Sequence, residues 1–361
     1  MAKAPRTKAP RPISIALQGG GAHGAFTWGV LDRLCECEEI EIKAITATSA
    51  GAMNAVAYSA GMHEGGREGA RRLLHDFWKE ISRRGAPLDA LAPQGLAASL
   101  QSMNPFSAWT PASFATALSA FLSPYELNPF DLNPLRDTVC EMVDFKSVLA
   151  SDIALHIAAT NVETGRVKVF TGDDVTPDAV LASACLPQTF KAVEIDGVPY
   201  WDGGYMGNPS LFPLIYSDAP RDILLVLLNP LDRAGTPRTA AAIQDRLNEI
   251  SFNSALIGEM RAIAFVGDLL DENWLARQAR SRFKKLYIHL INGGDDLCDM
   301  HFETKFDTSW QFLEKLKDLG RAHAETWLQS DFAMVGKESS VNIHEVFLGQ
   351  PAKGSNALTD E

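Results

Sequence analysis

Apolar positions along this chain recur with a period that switches between two and about 3.6, and the switches predict strands and helices in turn. Ile13-Ser-Ile-Ala-Leu17 is a short apolar run that ends at a glycine cluster, so it reads as a buried first strand. Residues 25–37 are apolar on two faces, Phe26, Val30 and Leu34 on one and Trp28, Leu31 and Cys35 on the other, which predicts a buried helix. Residues 40–46 predict a second strand. Residues 50–60 predict a helix of small side chains that ends at Gly61, a natural C′ position. Strand, helix, strand, helix with tight connections is the signature of a parallel sheet. Strands return over 155–170, with a turn at Glu163-Thr-Gly165. A hairpin follows, built on Asp196-Gly197, a favoured type I′ pair, between Val193-Glu-Ile195 and Val198-Pro-Tyr200. Residues 222–228 and 285–291 read as buried strands, and 238–270 and 307–329 as helices.

One stretch breaks the pattern. Between Arg84 and Arg136 there is no Lys or Arg, and Asp89, Glu126 and Asp131 are the only charges. Apolar side chains such as Met103, Phe106, Trp109, Phe114 and Phe121 alternate there with Pro and Ser, so residues 85–135 suit the wall or lid of an apolar pocket. Extra helices covering the core are the plainer alternative. No repeat or long linker appears. Residues 13–349 are expected to form one domain, with a disordered basic tail at 1–12 and a loose polar tail at 350–361.

Composition narrows the function classes. The 361 residues are 46% hydrophobic and 22% charged, which is ordinary for a globular protein. Thirty-three basic and 45 acidic residues leave a net charge of −12, which argues against nucleic acid as a partner. The five cysteines are odd in number, and Cys35-Glu36-Cys37 is too close for an ordinary zinc pair, so they read as buried free thiols in a reducing cytoplasm. No apolar run is long enough to span a bilayer.

Three short stretches carry chemistry. Gly19-Gly20-Gly21-Ala22-His23-Gly24 follows a strand and precedes a helix, and it matches the dinucleotide fingerprint at Gly19, Gly21 and Gly24. That reading also needs an acid at the end of the second strand. Thr46-Ala-Thr48-Ser49 stands there instead. Ala47-Thr48-Ser49-Ala50-Gly51 suits a nucleophile elbow, a sharp strand-to-helix turn that tolerates only small neighbours and holds a serine hydroxyl near a helix N-terminus. A serine that merely caps the helix is the alternative. The glycine loop leaves the same sheet edge, where its backbone amides could bind a developing oxyanion. None of the eight histidines lies where a Ser-His-Asp enzyme keeps its base, although His23, inside the loop, could contact substrate. Asp202-Gly203-Gly204 offers a carboxylate instead, and an Asp bonded directly to a serine hydroxyl can serve as the base of a two-residue machine.

In this order, the glycine loop, the Ser49 elbow and Asp202-Gly203-Gly204 resemble the patatin-like phospholipase family. Ala182-Ser183-Ala184-Cys185-Leu186-Pro187, with Phe190 after it, is similar to a family element that precedes the catalytic Asp. The resemblance runs from about residue 13 to 228, and residues 238–330 look like a helical C-terminal extension of bacterial members. It implies an α/β fold, a three-layer α/β/α sandwich with a mostly parallel central sheet. It further implies Ser49 as nucleophile, Asp202 as base, and oxyanion donors among Gly19, Gly20, Gly21 and Ala22, with no cofactor and no metal. His23 stands where the family usually has Arg or Lys.

Three function classes follow. The first is a serine acyl hydrolase acting on lipid esters, peripheral at a membrane or lipid surface. The second is a non-catalytic module that binds lipid or a granule surface through the same apolar segment. The third is a dinucleotide-dependent oxidoreductase, which lacks its ribose-binding acid. Acyl chain, head group, acceptor and oligomeric state are not readable from the residues.

Overall fold

A computed structural model describes residues 9–91, 123–128, 133–272, 282–298, 300 and 302–350. The tails expected at 1–12 and 350–361 fall outside this range except for residues 9–12 and 350, as does most of the 85–135 segment.

Eight strands form one sheet: β1 Arg11–Leu17, β2 Ile40–Ala47, β3 Ala154–Asn161, β4 Val167–Thr171, β5 Val193–Ile195, β6 Val198–Asp202, β7 Asp222–Leu227 and β8 Tyr287–Asn292. Five of them run parallel in the order β3-β2-β1-β7-β8, and the antiparallel strands β4, β6 and β5 gather beyond β3. The hairpin read from Asp196-Gly197 is β5–β6, with both turn residues at positive φ.

Period two in the strands divides the core. Ile13, Ile15, Leu17, Ile45, Leu224 and Val226 point to one face, and Ala16, Ala44, Ile223, Leu225 and Leu227 to the other. Helices α1 (Gly24–Cys35), α2 (Ala50–Leu91), α3 (Pro177–Ser183) and α5 (Trp310–Ser330) cover the first face. Helix α4 (Ala240–Asp271) and the short helices Phe212–Tyr216 and Ile343–Leu348 cover the second. The fold is therefore α/β/α with a mostly parallel central sheet. Residues beyond 238 contribute β8 to that sheet as well as helices, and α5 docks on α1 and α2 through Arg321 and Arg71, which both engage the buried Asp32 carboxylate.

The helix expected to stop at Gly61 does not stop there. It runs on and reverses at Gly65 and Gly66, where Gly66 takes φ +61°, so α2 is two arms folded against each other. A Cβ on Gly61 would lie 2.5 Å from Ala70 Cα. That glycine lets the two arms touch and is not a cap. The cysteines also depart from expectation. All five are free thiols, but only Cys35 and Cys185 are buried, and Cys140 is exposed.

Candidate active site

The sheet brings Ser49 and Asp202 together by its hydrogen-bond register. Strand β2 pairs with β3 up to Ala47 opposite Ile157, and β6 takes over the same edge at Ala159, which pairs with Asp202. Strand β4 occupies the other edge of β3 from His156 to Thr160. The end of β6 thus faces the end of β2, across a gap that the Ser49 turn fills. The Ser49 side chain reaches the Asp202 carboxyl closely enough to favour its ionised form.

Ser49 has φ +55°, a left-handed conformation that costs a non-glycine residue about 1–3 kcal/mol. The turn is held from several sides. Ser49 donates its amide to Ser183 Oγ at 2.9 Å, and Gly51 leaves room for the Leu17 carbonyl, which a Cβ would meet at 2.5 Å. Thr46 and Thr48 donate their hydroxyls to the carbonyls of Ser210 and Gly207, each at 2.6 Å, and so tie the end of β2 to the loop that follows Asp202.

Asp202 is 1% exposed. Burial pushes its carboxyl up to about 7, against the opposing pull of hydrogen bonds from the Gly204 amide and the Ser49 hydroxyl. The Gly204 amide lies 2.6 Å from Oδ1. The Asp202 backbone amide donates to the Cys185 carbonyl at 2.8 Å. The block Ala182–Pro187 therefore supports both residues, through the Ser183 hydroxyl to Ser49 and the Cys185 carbonyl to Asp202.

The glycine loop divides its labour. Gly19 does not offer its amide to the site, because that N–H donates to Asn208 Oδ1 at 2.7 Å. Its lack of a side chain is what counts, since a Cβ would lie 2.7 Å from Ser49 Cβ. Among the described residues, the amides of Gly20, Gly21 and Ala22 meet no acceptor. Gly21 takes φ +58° as the chain enters a short 3₁₀ turn over Gly21–His23. Gly20 and Gly21 are accessible, as is part of Ser49, while Asp202 lies behind them.

His23 does not face the substrate side. It is 2% exposed, and Nε2 lies 2.7 Å from Thr304 Oγ1. Burial first, and then the Lys305 charge, bring its pKa down to about 3, so the ring is neutral. It lines a cavity of about 10 Å³ behind the loop, together with Leu228, Arg233, Glu249, Met300 and Lys305. That volume suits one water molecule and no acyl chain.

Sequence reasoning missed the polar layer beneath the loop. Gln18, fully buried, accepts the amides of Leu228 and Asn229 and donates to Asn253 Oδ1 and the Asn208 carbonyl. Asn229 donates to the Gly19 carbonyl at 3.2 Å. A Gln closing a first strand and an Asn closing a later one are polar residues at buried strand ends, and that was the available signal.

The sequence profile described as patatin-like phospholipase matches residues 15–215. The match spans the glycine loop, the Ser49 turn and Asp202. The chain belongs to the patatin-like phospholipase family. Membership assigns it to the lipid-hydrolysing esterases. β7, α4, β8 and α5 lie beyond the family match, yet two of these elements complete the same sheet. Among solved structures the chain is similar to VipD from Legionella pneumophila, with 18% identity and a TM-score of 0.41 over 89% of this chain and 67% of that one. It is also similar to ExoU in complex with SpcU from Pseudomonas aeruginosa, with 14% identity and a TM-score of 0.31 over 90% of this chain and 54% of that one. The chain thus spans about half to two thirds of the length of these proteins. No curated protein sequence matches it significantly. Among the described residues, no helix is long and apolar enough to cross a membrane, and no cluster of His, Cys, Asp and Glu is arranged to hold a metal ion.

Proposed function

We propose that this chain is a serine acyl hydrolase of the phospholipase A type, cleaving carboxyl esters of lipids through an acyl-enzyme on Ser49 with Asp202 as its base. One observation carries the reading: a serine in a left-handed turn, set beside a buried carboxylate and flanked by unspent backbone amides. Ser49 Oγ attacks the ester carbonyl carbon while Asp202 takes its proton. The carbonyl π electrons move to oxygen, and the resulting oxyanion rests on the amides of Gly20, Gly21 and Ala22. Collapse of the tetrahedral intermediate breaks the ester C–O bond, and Asp202 returns the proton to the departing alcohol or lysolipid. Water then adds to the acyl-enzyme, with Asp202 taking and returning a proton once more.

Several features support a two-residue machine. Asp202 is pushed up to about 7, so its basicity suits proton transfer near neutral pH. His23 is neutral and turned inward, and it has no part in the proton transfer. In this reading residues 13–349 act as a single acyl hydrolase domain, in the cytoplasm and peripheral at a lipid surface.

Incubation with a mixed lipid extract, followed by mass spectrometry, tests the proposal together with a fluorophosphonate probe. Free fatty acid and lysolipid should accumulate, and the probe should label Ser49 and leave Ser49→Ala unlabelled. Lipid binding with neither product nor label would instead identify a non-catalytic lipid-surface module.

A further inference from the structure

Behind the glycine loop a half-buried charge is joined to one of the loop amides by a short chain of hydrogen bonds. Lys305, from the Phe302–Phe306 turn, donates from Nζ to Asn229 Oδ1 at 2.5 Å. Asn229, 3% exposed, donates from Nδ2 to the Gly19 carbonyl at 3.2 Å. The Gly19 carbonyl and the Gly20 N–H are the two ends of one peptide group. Two amides therefore stand in series between an ammonium and an N–H on the accessible side of the loop. A donor placed on the oxygen of an amide draws electrons toward that oxygen and makes the N–H at the other end a stronger donor. Register along the series is well controlled. Gln18 Oε1 accepts the Asn229 amide at 2.8 Å, and Asn208 holds the Gly19 amide at 2.7 Å.

We propose that Lys305 is a positioning residue that acts at a distance, polarising the Asn229 side chain and the Gly19–Gly20 peptide so that the Gly20 N–H binds the developing oxyanion more strongly. This rests on the reading of Gly20 as an oxyanion donor given above. It supplies to the loop a positive charge that His23, within the loop itself, does not carry. The source is a segment outside the family match, at residues 302–306, packed on the loop so closely that a Cβ on Gly21 would lie 2.4 Å from the Lys305 carbonyl.

The surroundings of Lys305 set the pH at which the relay operates. Burial brings its ammonium down to about 8, with Glu249 and Asp245 of α4 holding the charge and Arg233 opposing it. His23 faces it as a neutral ring. Loss of the proton above that pH would leave Asn229 without its charged donor, while Asp202 is already ionised.

Kinetics on a soluble p-nitrophenyl ester with the full chain test the relay. Lys305→Met should lower kcat about tenfold with KM changed less than twofold, since one oxyanion donor is weakened and not removed. Lys305→Arg should recover most of that rate. The wild-type rate should decline above about pH 8, and the decline should be absent in Lys305→Met. Asn229→Asp is the decisive variant, because it keeps and strengthens the contact with Lys305 yet cannot donate to the Gly19 carbonyl. It should lose rate as Lys305→Met does, and the double variant should lose little more than either single one. It also serves if Lys305→Met fails to fold. Full kcat in folded Lys305→Met or in Asn229→Asp overturns the relay. Failure of the underlying reading looks different: ester turnover would then survive Ser49→Ala.

Discussion

Two hydroxyl-acid clusters sit at opposite ends of this sheet, and the one that looks more like a hydrolase has no place for an oxyanion. At the N-terminal ends of β7 and β8, His289 lies between Asp222 and Ser340, with Nε2 3.0 Å from Asp222 Oδ1 and Nδ1 3.2 Å from Ser340 Oγ. By residue type this is a full Ser-His-Asp set. Its amides, however, are spent: Gly336 donates to Asp222 at 2.7 Å, and Ser340 to the Ile288 carbonyl at 3.1 Å. His289 is fully buried, and Ser340 is not among the residues at positive φ. At the C-terminal ends of β1, β2 and β6 stand only a serine and an acid, but the serine is held in a left-handed turn and amides beside it are unspent. A proton acceptor is needed for ester cleavage, and so is somewhere to put the oxyanion. The first cluster ties the 336–340 loop to the sheet, whereas the second has the parts of a reaction.

The sharpest way to break this comparison is to disable each cluster in turn. Ser49→Ala and Asp202→Asn should each lower kcat/KM on a p-nitrophenyl ester by about 10³-fold or more, and Ser340→Ala should leave it within about twofold. An active Ser49→Ala, or an inactive but folded Ser340→Ala, would reverse the assignment.

A pH profile sharpens it next. With the Asp202 carboxyl pushed up to about 7, kcat/KM should fall about tenfold per pH unit below that value and level off between it and about pH 8, where the decline set by Lys305 begins. Stability should move the other way. Between the ordinary 3.8 and about 7 the folded state binds more protons than the unfolded one, so Asp202 lowers stability as pH rises through that window. Asp202→Asn should therefore melt a few degrees above the wild type at pH 8 in a calorimetric scan, and gain little at pH 4.

Smaller effects separate support from chemistry. Ser183→Ala removes the acceptor of the Ser49 amide and should cost about tenfold in kcat with KM held. His289→Ala should leave turnover per folded molecule unchanged while destabilising the fold by about 2–4 kcal/mol in urea titration, through a buried cavity and an orphaned Asp222 oxygen. Loss of turnover without loss of stability in that variant would contradict the structural role given to the first cluster.

Much of this was legible from one-dimensional pattern. The β5–β6 hairpin was predicted by Asp196-Gly197 because a type I′ turn needs two residues that tolerate positive φ. The parallel strands were legible as uniformly apolar runs, since both their faces are covered. The reading of Gly61 failed because a glycine after a helical run looks the same whether it ends the helix or lets another backbone approach. The roles of Gly19 and His23 failed for a related reason. Whether a loop amide is free, or a loop side chain faces out, depends on Asn208 and Thr304, which lie far along the chain.

Family, sheet and the proposed reacting pair were written locally, in short stretches whose glycines and small residues are demanded by tight turns. Local steric rules act within a few residues, so they leave a trace in sequence. The meeting of β6 with the edge of β3 that β2 vacates is set by strand register, and the approach of Lys305 and Asn229 to the Gly19 peptide by the packing of a late segment on an early loop. Contacts of that kind join residues hundreds of positions apart, and they exist only once the burial of both sheet faces has chosen one arrangement of the layers.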